Sequence, residues 1–306
     1  MRRFVTAVLG AVALAAPAGA QRQTAILESA VDALGSMRDT ASLQANGWTV
    51  IGFRTGIRDL TPFQGQHWMQ FQRFVAGTDE IRRPTFLMYL PRGDSLLPVG
   101  VAYTRRIAST NPLPDRLGFE KVEWHSHVFC RNLPGEGSAL ADGPDDCAAR
   151  GGASAPNQIA MVHAWTVPNP DGPWAHDNPA LPYIATGLKP PQHHATKEDR
   201  LVGIALGETY GAKLPTAHRI EVEARRAGTA DKLAAPRAAL RSLATRMAGA
   251  ERGGDAGKLA ALRNSMLAAW EDMAAAYRAV ARSPEISARF DVEVRQSTGE
   301  VKHKHM

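Results

Sequence analysis

Two runs of this chain, Glu123-Trp124-His125-Ser126-His127 and Met161-Val162-His163-Ala164-Trp165, combine side-chain types and spacings that could do chemistry. Side chains two apart on a β-strand point to one face. On that geometry Glu123, His125 and His127 share a face of one strand, and Met161, His163 and Trp165 share a face of another. Imidazoles and a carboxylate converging from neighbouring strands make a ligand set for a first-row metal ion. Zinc, copper, iron and manganese all suit such a set. An open coordination position would allow water activation or dioxygen binding.

His163 lies in an apolar run, so folding buries a polar ring that needs a partner. A buried polar group without one costs about 1–3 kcal/mol. A metal, Tyr103 or a backbone carbonyl would serve. His67, in Gly65-Gln66-His67-Trp68-Met69, is placed to approach the same pocket from another strand. Glu123 is a ligand, a partner that orients a ligand, or a general base. Trp165, Trp174 and Met161 are expected to wall the pocket, bordered by the loop from Pro168 to Pro179. Met161 offers a thioether, although a Met on a strand is usually packing. His176, in Trp174-Ala175-His176-Asp177-Asn178, reads as a turn-capping residue rather than a ligand. His193 and His194 follow Pro190-Pro191 and read as exposed; Lys302-His303-Lys304-His305 reads as a polar tail. No serine–histidine–acid set on a strained elbow is present, and Ser126 points away from the face of its two histidine neighbours.

The elements that must position these side chains follow from periodicity. Trp48 to Phe53, Thr85 to Leu90, Leu96 to Arg105, Val122 to Phe129 and Ile159 to Val167 read as strands, the second and third joined by the turn Pro91-Arg92-Gly93-Asp94. Short strands between turn signals predict an antiparallel sheet or small barrel. Helices are expected over residues 24–37, 40–46 and 196–207. The C-terminal part changes character. Leu233, Leu240, Leu243 and Met247, then Leu259, Leu262, Met266, Trp270, Met273, Tyr277 and Val280, recur at helical spacing around Gly253-Gly254 and an Asp255 cap. That pattern is a helical hairpin, with Pro236 at the start or a kink of its first arm. A last helical turn after Pro284 and a strand-like stretch from Phe290 to Arg295 are expected to follow. The fold class is therefore α+β, an antiparallel sheet or small barrel with a C-terminal helical hairpin.

The first twenty residues have the layout of an export signal: Arg2-Arg3, an apolar stretch from Phe4 to Ala16, and Ala18-Gly19-Ala20 before Gln21. Cleavage near Ala20 makes the mature protein secreted or periplasmic, and the Arg2-Arg3-Phe4 start is also a partial match to twin-arginine export. Loss of Arg2 and Arg3 lowers the formal charge from +6 to +4. That balance is mild and interleaved with acids, which argues against a nucleic-acid footprint. No later segment is apolar enough for stable membrane insertion. In an oxidising compartment two cysteines favour a Cys130–Cys147 disulfide; the alternative makes Cys130 a thiolate ligand beside His127.

The His125–His127 pair in a β-rich setting partially resembles the cupin family, which implies a metal held by three histidines and a glutamate on a β-barrel, with His163 in the later position. Here the glutamate, Glu123, precedes the pair instead of following it. The wider pattern of His67-Trp68, Trp124-His125-Ser126-His127, a cysteine pair, and Met161 to Trp165 followed by Pro168-Asn169-Pro170-Asp171-Gly172 resembles a group of uncharacterised exported bacterial proteins. The expected organisation is a signal peptide over 1–20, an α+β body with the site over 21–212, and a helical hairpin and tail over 213–306. The expected function is binding of a divalent transition metal. Two alternatives stand beside it: a metal-dependent enzyme, oxygen-activating or hydrolytic, and a non-metal interaction module. The hairpin could also close a homo-oligomer.

Overall fold

The computed structural model describes residues 18–35, 37–50, 60–76, 83–108, 124–133, 137–141, 143–149 and 151–301. Glu123, the stretch Ile51 to Phe53, most of the export-signal segment and the Lys302–His305 tail lie outside the described residues.

The strands are β1 (Thr49–Val50), β2 (Leu60–Thr61), β3 (Gly65–Met69), β4 (Phe86–Arg92), β5 (Ser95–Ala108), β6 (His125–Leu133), β7 (Gly137–Ala141) and β8 (Ala153–Trp165). They form one antiparallel sheet in the order β1-β3-β4-β5-β8-β6-β7, with β2 paired to β3. The expected turn after β4 is a two-residue connection, Gly93-Asp94, with Gly93 at φ 59°. Pro98 lacks an N–H for the ladder. It sits where the β4–β5 register shifts, at a bulge that relieves it of that duty.

Both faces of the central strands are covered, which explains the continuous apolar run Phe86 to Leu90 where a half-exposed strand would alternate. One face packs Trp68, Leu87, Tyr89, Val101, Tyr103, Val162 and Ala164 against Ile26, Ala30 and Leu34 of α1 (Ala18–Leu34), Leu43 of α2 (Thr40–Ala45) and Trp48. The other face carries Phe86, Met88, Ala102, Ile159, Met161 and Trp165, closed by Phe74 of α3 (Phe71–Ala76) and Leu181 of α5 (Leu181–Thr186). Cys130 of β6 and Cys147 of α4 (Pro144–Ala149) form a disulfide across a sequence separation of 17 residues. A loop of that length gives about 3 kcal/mol by the chain-entropy estimate. Both sulfurs are thereby used, and Cys130 is not a thiolate ligand.

The sheet is not flat but curls into a half-barrel. Gly100, in β5 at the middle of the inner face, is required by that curl. A Cβ there would lie 2.7 Å from the Ala164 carbonyl oxygen and 2.7 Å from the end of Met88.

The remaining helices build a second core. α6 (Lys197–Tyr210) opens on a capping box between Thr196 and Asp199. It packs with α7 (Pro215–Arg226), α8 (Ala234–Arg252) and α9 (Ala256–Val280) around Leu240, Met247, Leu262, Met266, Trp270, Met273 and Tyr277. Pro236 stands in the first turn of α8, where it costs no intrahelical bond, and Asp255 caps α9 by accepting from the Lys258 N–H. The apolar stripes of this hairpin are thus buried inside the chain. Phe290 to Arg295 is not strand-like: it belongs to α10 (Pro284–Ser297), capped by Ser283. The buried Phe290 ring lies 5.5 Å from that of Tyr277. Tertiary packing of that ring overrides the β-branched bias of Val292 and Val294.

Gly100→Ala is expected to lower the unfolding free energy by about 1–3 kcal/mol, because the Ala164 backbone must yield as well as the Met88 side chain. Urea titration reads this; an unchanged midpoint would show that the curl tolerates a methyl group there.

Candidate metal centre

His125 and His127 stand opposite Met161 and Ile159 across the β6–β8 ladder, and His163 stands opposite Ala102 across β5–β8. His67 stands opposite Met88 across β3–β4, Met88 opposite Gly100, and Gly100 opposite Trp165. All four histidines therefore occupy the same face. On a flat sheet β3 and β8 would be three strand spacings apart, about 14 Å at about 4.8 Å each. The His67 and His163 ring centroids are 5.5 Å apart. The curl over Gly100 and Ala102 accounts for the difference.

His125 is the hub. Its ring lies 4.9 Å from His127, 4.9 Å from His163 and 4.1 Å from His176. Two imidazoles sharing one tetrahedral ion at about 2.0–2.1 Å have ring centres roughly 5 Å apart, so these spacings match the scale of a shared site. The first three sequence candidates and His67 are thus brought together. Met161 lies in the same layer, and the Trp165 ring is 5.4 Å from His163. Trp174 packs instead in the layer on the opposite face.

His163 is 1% exposed. Its partner is a backbone carbonyl: Nδ1 lies 2.5 Å from the His176 oxygen, which makes Nδ1 the donor. Tyr103 is on the other face and does not serve it. With the proton on Nδ1, the buried Nε2 carries a lone pair and has no hydrogen-bond partner among the described residues. A ring nitrogen fixed by a backbone carbonyl, with the other presented bare, is the arrangement that orients a metal-ligating histidine. Burial pushes the His163 pKa well below its ordinary value, assisted by the neighbouring His67 and His176. Burial likewise pushes His67 down to about 3, with His127 and His176 adding to it. Both rings are neutral, the form that binds metal.

The residue the sequence reading set aside is His176. Turn capping in its loop is done by asparagines: Asn169 accepts from the Asp171 N–H, and Asn178 accepts from the Ala180 N–H. Trp165 clips the loop to the end of β8, its backbone N–H donating to Pro173 and its indole N–H to Ala175. The His176 ring is left to turn toward His125. Its Nδ1 is 3.3 Å from Asp177 Oδ1, and Gln64 Nε2 reaches both its Nε2 (3.2 Å) and Asp177 Oδ1 (3.1 Å). Burial would raise the Asp177 pKa, but His176, Arg200 and Gln64 outweigh it and hold the carboxyl well below its ordinary value. The signal available in the sequence was the brevity of the return: only 13 residues separate His163 from His176.

Among the described residues no three His, Cys, Asp or Glu side chains form a ready-made ion-binding group. The donor types fit a transition metal, since neutral imidazole suits zinc, copper, nickel and iron. The rings are adjacent, and their nitrogens must still be re-aimed to enclose an ion. No family model, no curated protein and no solved structure matches the chain.

The buried neutral rings have a pH consequence in metal-stripped protein. Unfolded imidazoles take up protons near pH 6.5, whereas folded His67 does so only near 3. Stability is therefore fully present above about pH 6.5 and is lost as pH falls from there toward about 3. The loss is up to ~1.4 kcal/mol per pH unit for each ring. Urea midpoints of chelator-treated protein are expected to drop between pH 7 and pH 5, and to drop less in His67→Gln; midpoints level across that range would contradict the neutral assignment.

Proposed function

We propose that this chain is an exported divalent-metal-binding protein whose centre is assembled from His67, His125, His127 and His163. The observation that carries this reading is the buried Nε2 of His163, without a hydrogen-bond partner among the described residues and locked in the binding tautomer by the His176 carbonyl. Inside an apolar layer such an atom forgoes hydrogen bonding at a cost of about 1–3 kcal/mol, and coordination removes that cost. The adjacent rings of His125 and His67, one from each side, supply the further donors. Burial keeps His67 and His163 neutral, so these two bind without having to lose protons near pH 7.

Each residue has a part in this scheme. His125 and His127 form a rigid pair on alternate positions of β6. His163 supplies the deepest donor, and His67 closes the ring from the far strand. Trp165 and Met161 keep water from the inner side of the pocket. When bound, the metal would contribute Lewis acidity, or redox chemistry if it is copper or iron. The Cys130–Cys147 disulfide accords with an oxidising compartment. No helix among the described residues is long and apolar enough to cross a membrane.

Elemental analysis of the mature protein, purified without a histidine tag, tests this. Wild type is expected to carry about one equivalent of zinc, copper, iron or manganese per chain, and His125→Ala/His127→Ala to carry less than a tenth of that, with circular dichroism unchanged. Equal metal in the two proteins would rule out this centre.

A further inference from the structure

Resting on the metal-binding reading above, we infer that His176 is a loop-borne ligand of the same centre, held in a parked position by Gln64 until an ion arrives. The His176 ring lies closer to the hub than those of His127 and His163, 4.1 Å from His125 at 76°, and it stacks on His163 at 5.6 Å with planes 16° apart. It therefore borders the two imidazoles that any shared ion must touch.

Its hydrogen bonding has the form expected of a ligand in waiting. Nδ1 faces the Asp177 carboxylate at 3.3 Å, so the proton resides there and Nε2 keeps its lone pair. A carboxylate behind the distal nitrogen is the usual means of orienting a metal-ligating imidazole. Asp177 is itself fixed: Gln64 donates to its Oδ1 at 3.1 Å and Arg200 lies 3.7 Å from its Oδ2. At Nε2, however, the partner is the Gln64 amide at 3.2 Å, which occupies the lone pair that an ion would use.

Release is inexpensive because of how Gln64 is placed. The same amide nitrogen is bonded to Asp177, so the ring can turn away while Gln64 keeps a partner. What is lost is one neutral hydrogen bond, whose net worth corresponds to roughly a 2–10-fold change in an equilibrium constant. Turning is also coupled to His163, because the His176 carbonyl is the acceptor for His163 Nδ1. A small movement of the loop segment at His176 thus re-aims two imidazoles together. Four histidines are fixed by the sheet, and the fifth is carried by a loop and held by a competitor.

Competition of the metal-free protein with a chromophoric chelator for Co2+, together with the visible absorption of bound Co2+, tests this. Relative to wild type, His176→Ala is expected to bind Co2+ about 10–100-fold more weakly with a changed visible spectrum. Gln64→Ala is expected to bind it roughly 2–10-fold more tightly with the spectrum unchanged. If wild type takes up no Co2+, the centre itself fails and this inference with it. If wild type binds but His176→Ala matches it in affinity and spectrum, the centre stands and the role of His176 is overturned. Weaker binding by Gln64→Ala overturns the parking role alone. Circular dichroism of each variant verifies folding; if His176→Ala does not fold, His176→Gln takes its place with the same expected and overturning outcomes.

Discussion

The close approach of β3 to β8 is the constraint on which the rest of this protein depends. Two strands lie between them, and in a flat sheet side chains on the outer pair could not touch. The approach is possible because the inner face at β5 is lined by Gly100 and Ala102, leaving space into which the flanking strands fold. A larger side chain at Gly100 would meet backbone oxygen at once. The histidine cluster is in this sense a product of absent side chains as much as of the rings that fill the space.

Rigidity around the cluster comes from two sides. Behind the sheet, α1, Leu43 and Trp48 bury the other face of the same strands, so the curl cannot relax without exposing aromatic surface. In front, the loop after β8 is fastened at Trp165, at its asparagine caps and at Arg200 of α6, whose guanidinium also pairs with Asp171. The result is four imidazoles on stiff strands and one on a fastened but separable loop. Strands hold geometry to fractions of an ångström; a loop accommodates exchange.

The helical layer is tied together differently. Arg237 bridges Glu208 and Glu221, and Tyr277 donates to Glu208, in a buried polar network between α6, α7, α8 and α9. Burial pushes the Glu208 pKa up, opposed by Lys213 and Arg237. Such a network, once fully paired, specifies one helix register, since any slip leaves a charge buried without its partner. Its link to the histidine cluster is indirect: α6 carries Arg200, which stands behind Asp177 and so behind His176.

Much of this was legible in the residues themselves. Alternation placed His125 and His127 on one face, Gly93-Asp94 marked a hairpin, Asp255 and the Leu/Met/Trp spacing marked the helical pair, and two cysteines marked a disulfide. These are short-range consequences of fixed periods, 2 for strands and 3.6 for helices, and they need no knowledge of what lies opposite. The errors came where distant contacts outweigh local preference: Phe290 is drawn into a helix by Trp270 and Tyr277, and His176 is turned inward because asparagines do the capping expected of it. By itself the sequence determined which side chains share a strand face. Only the tertiary structure decided that His67, His163 and His176 meet, because that depends on sheet curvature and loop closure, which sum over many residues and appear in no local pattern.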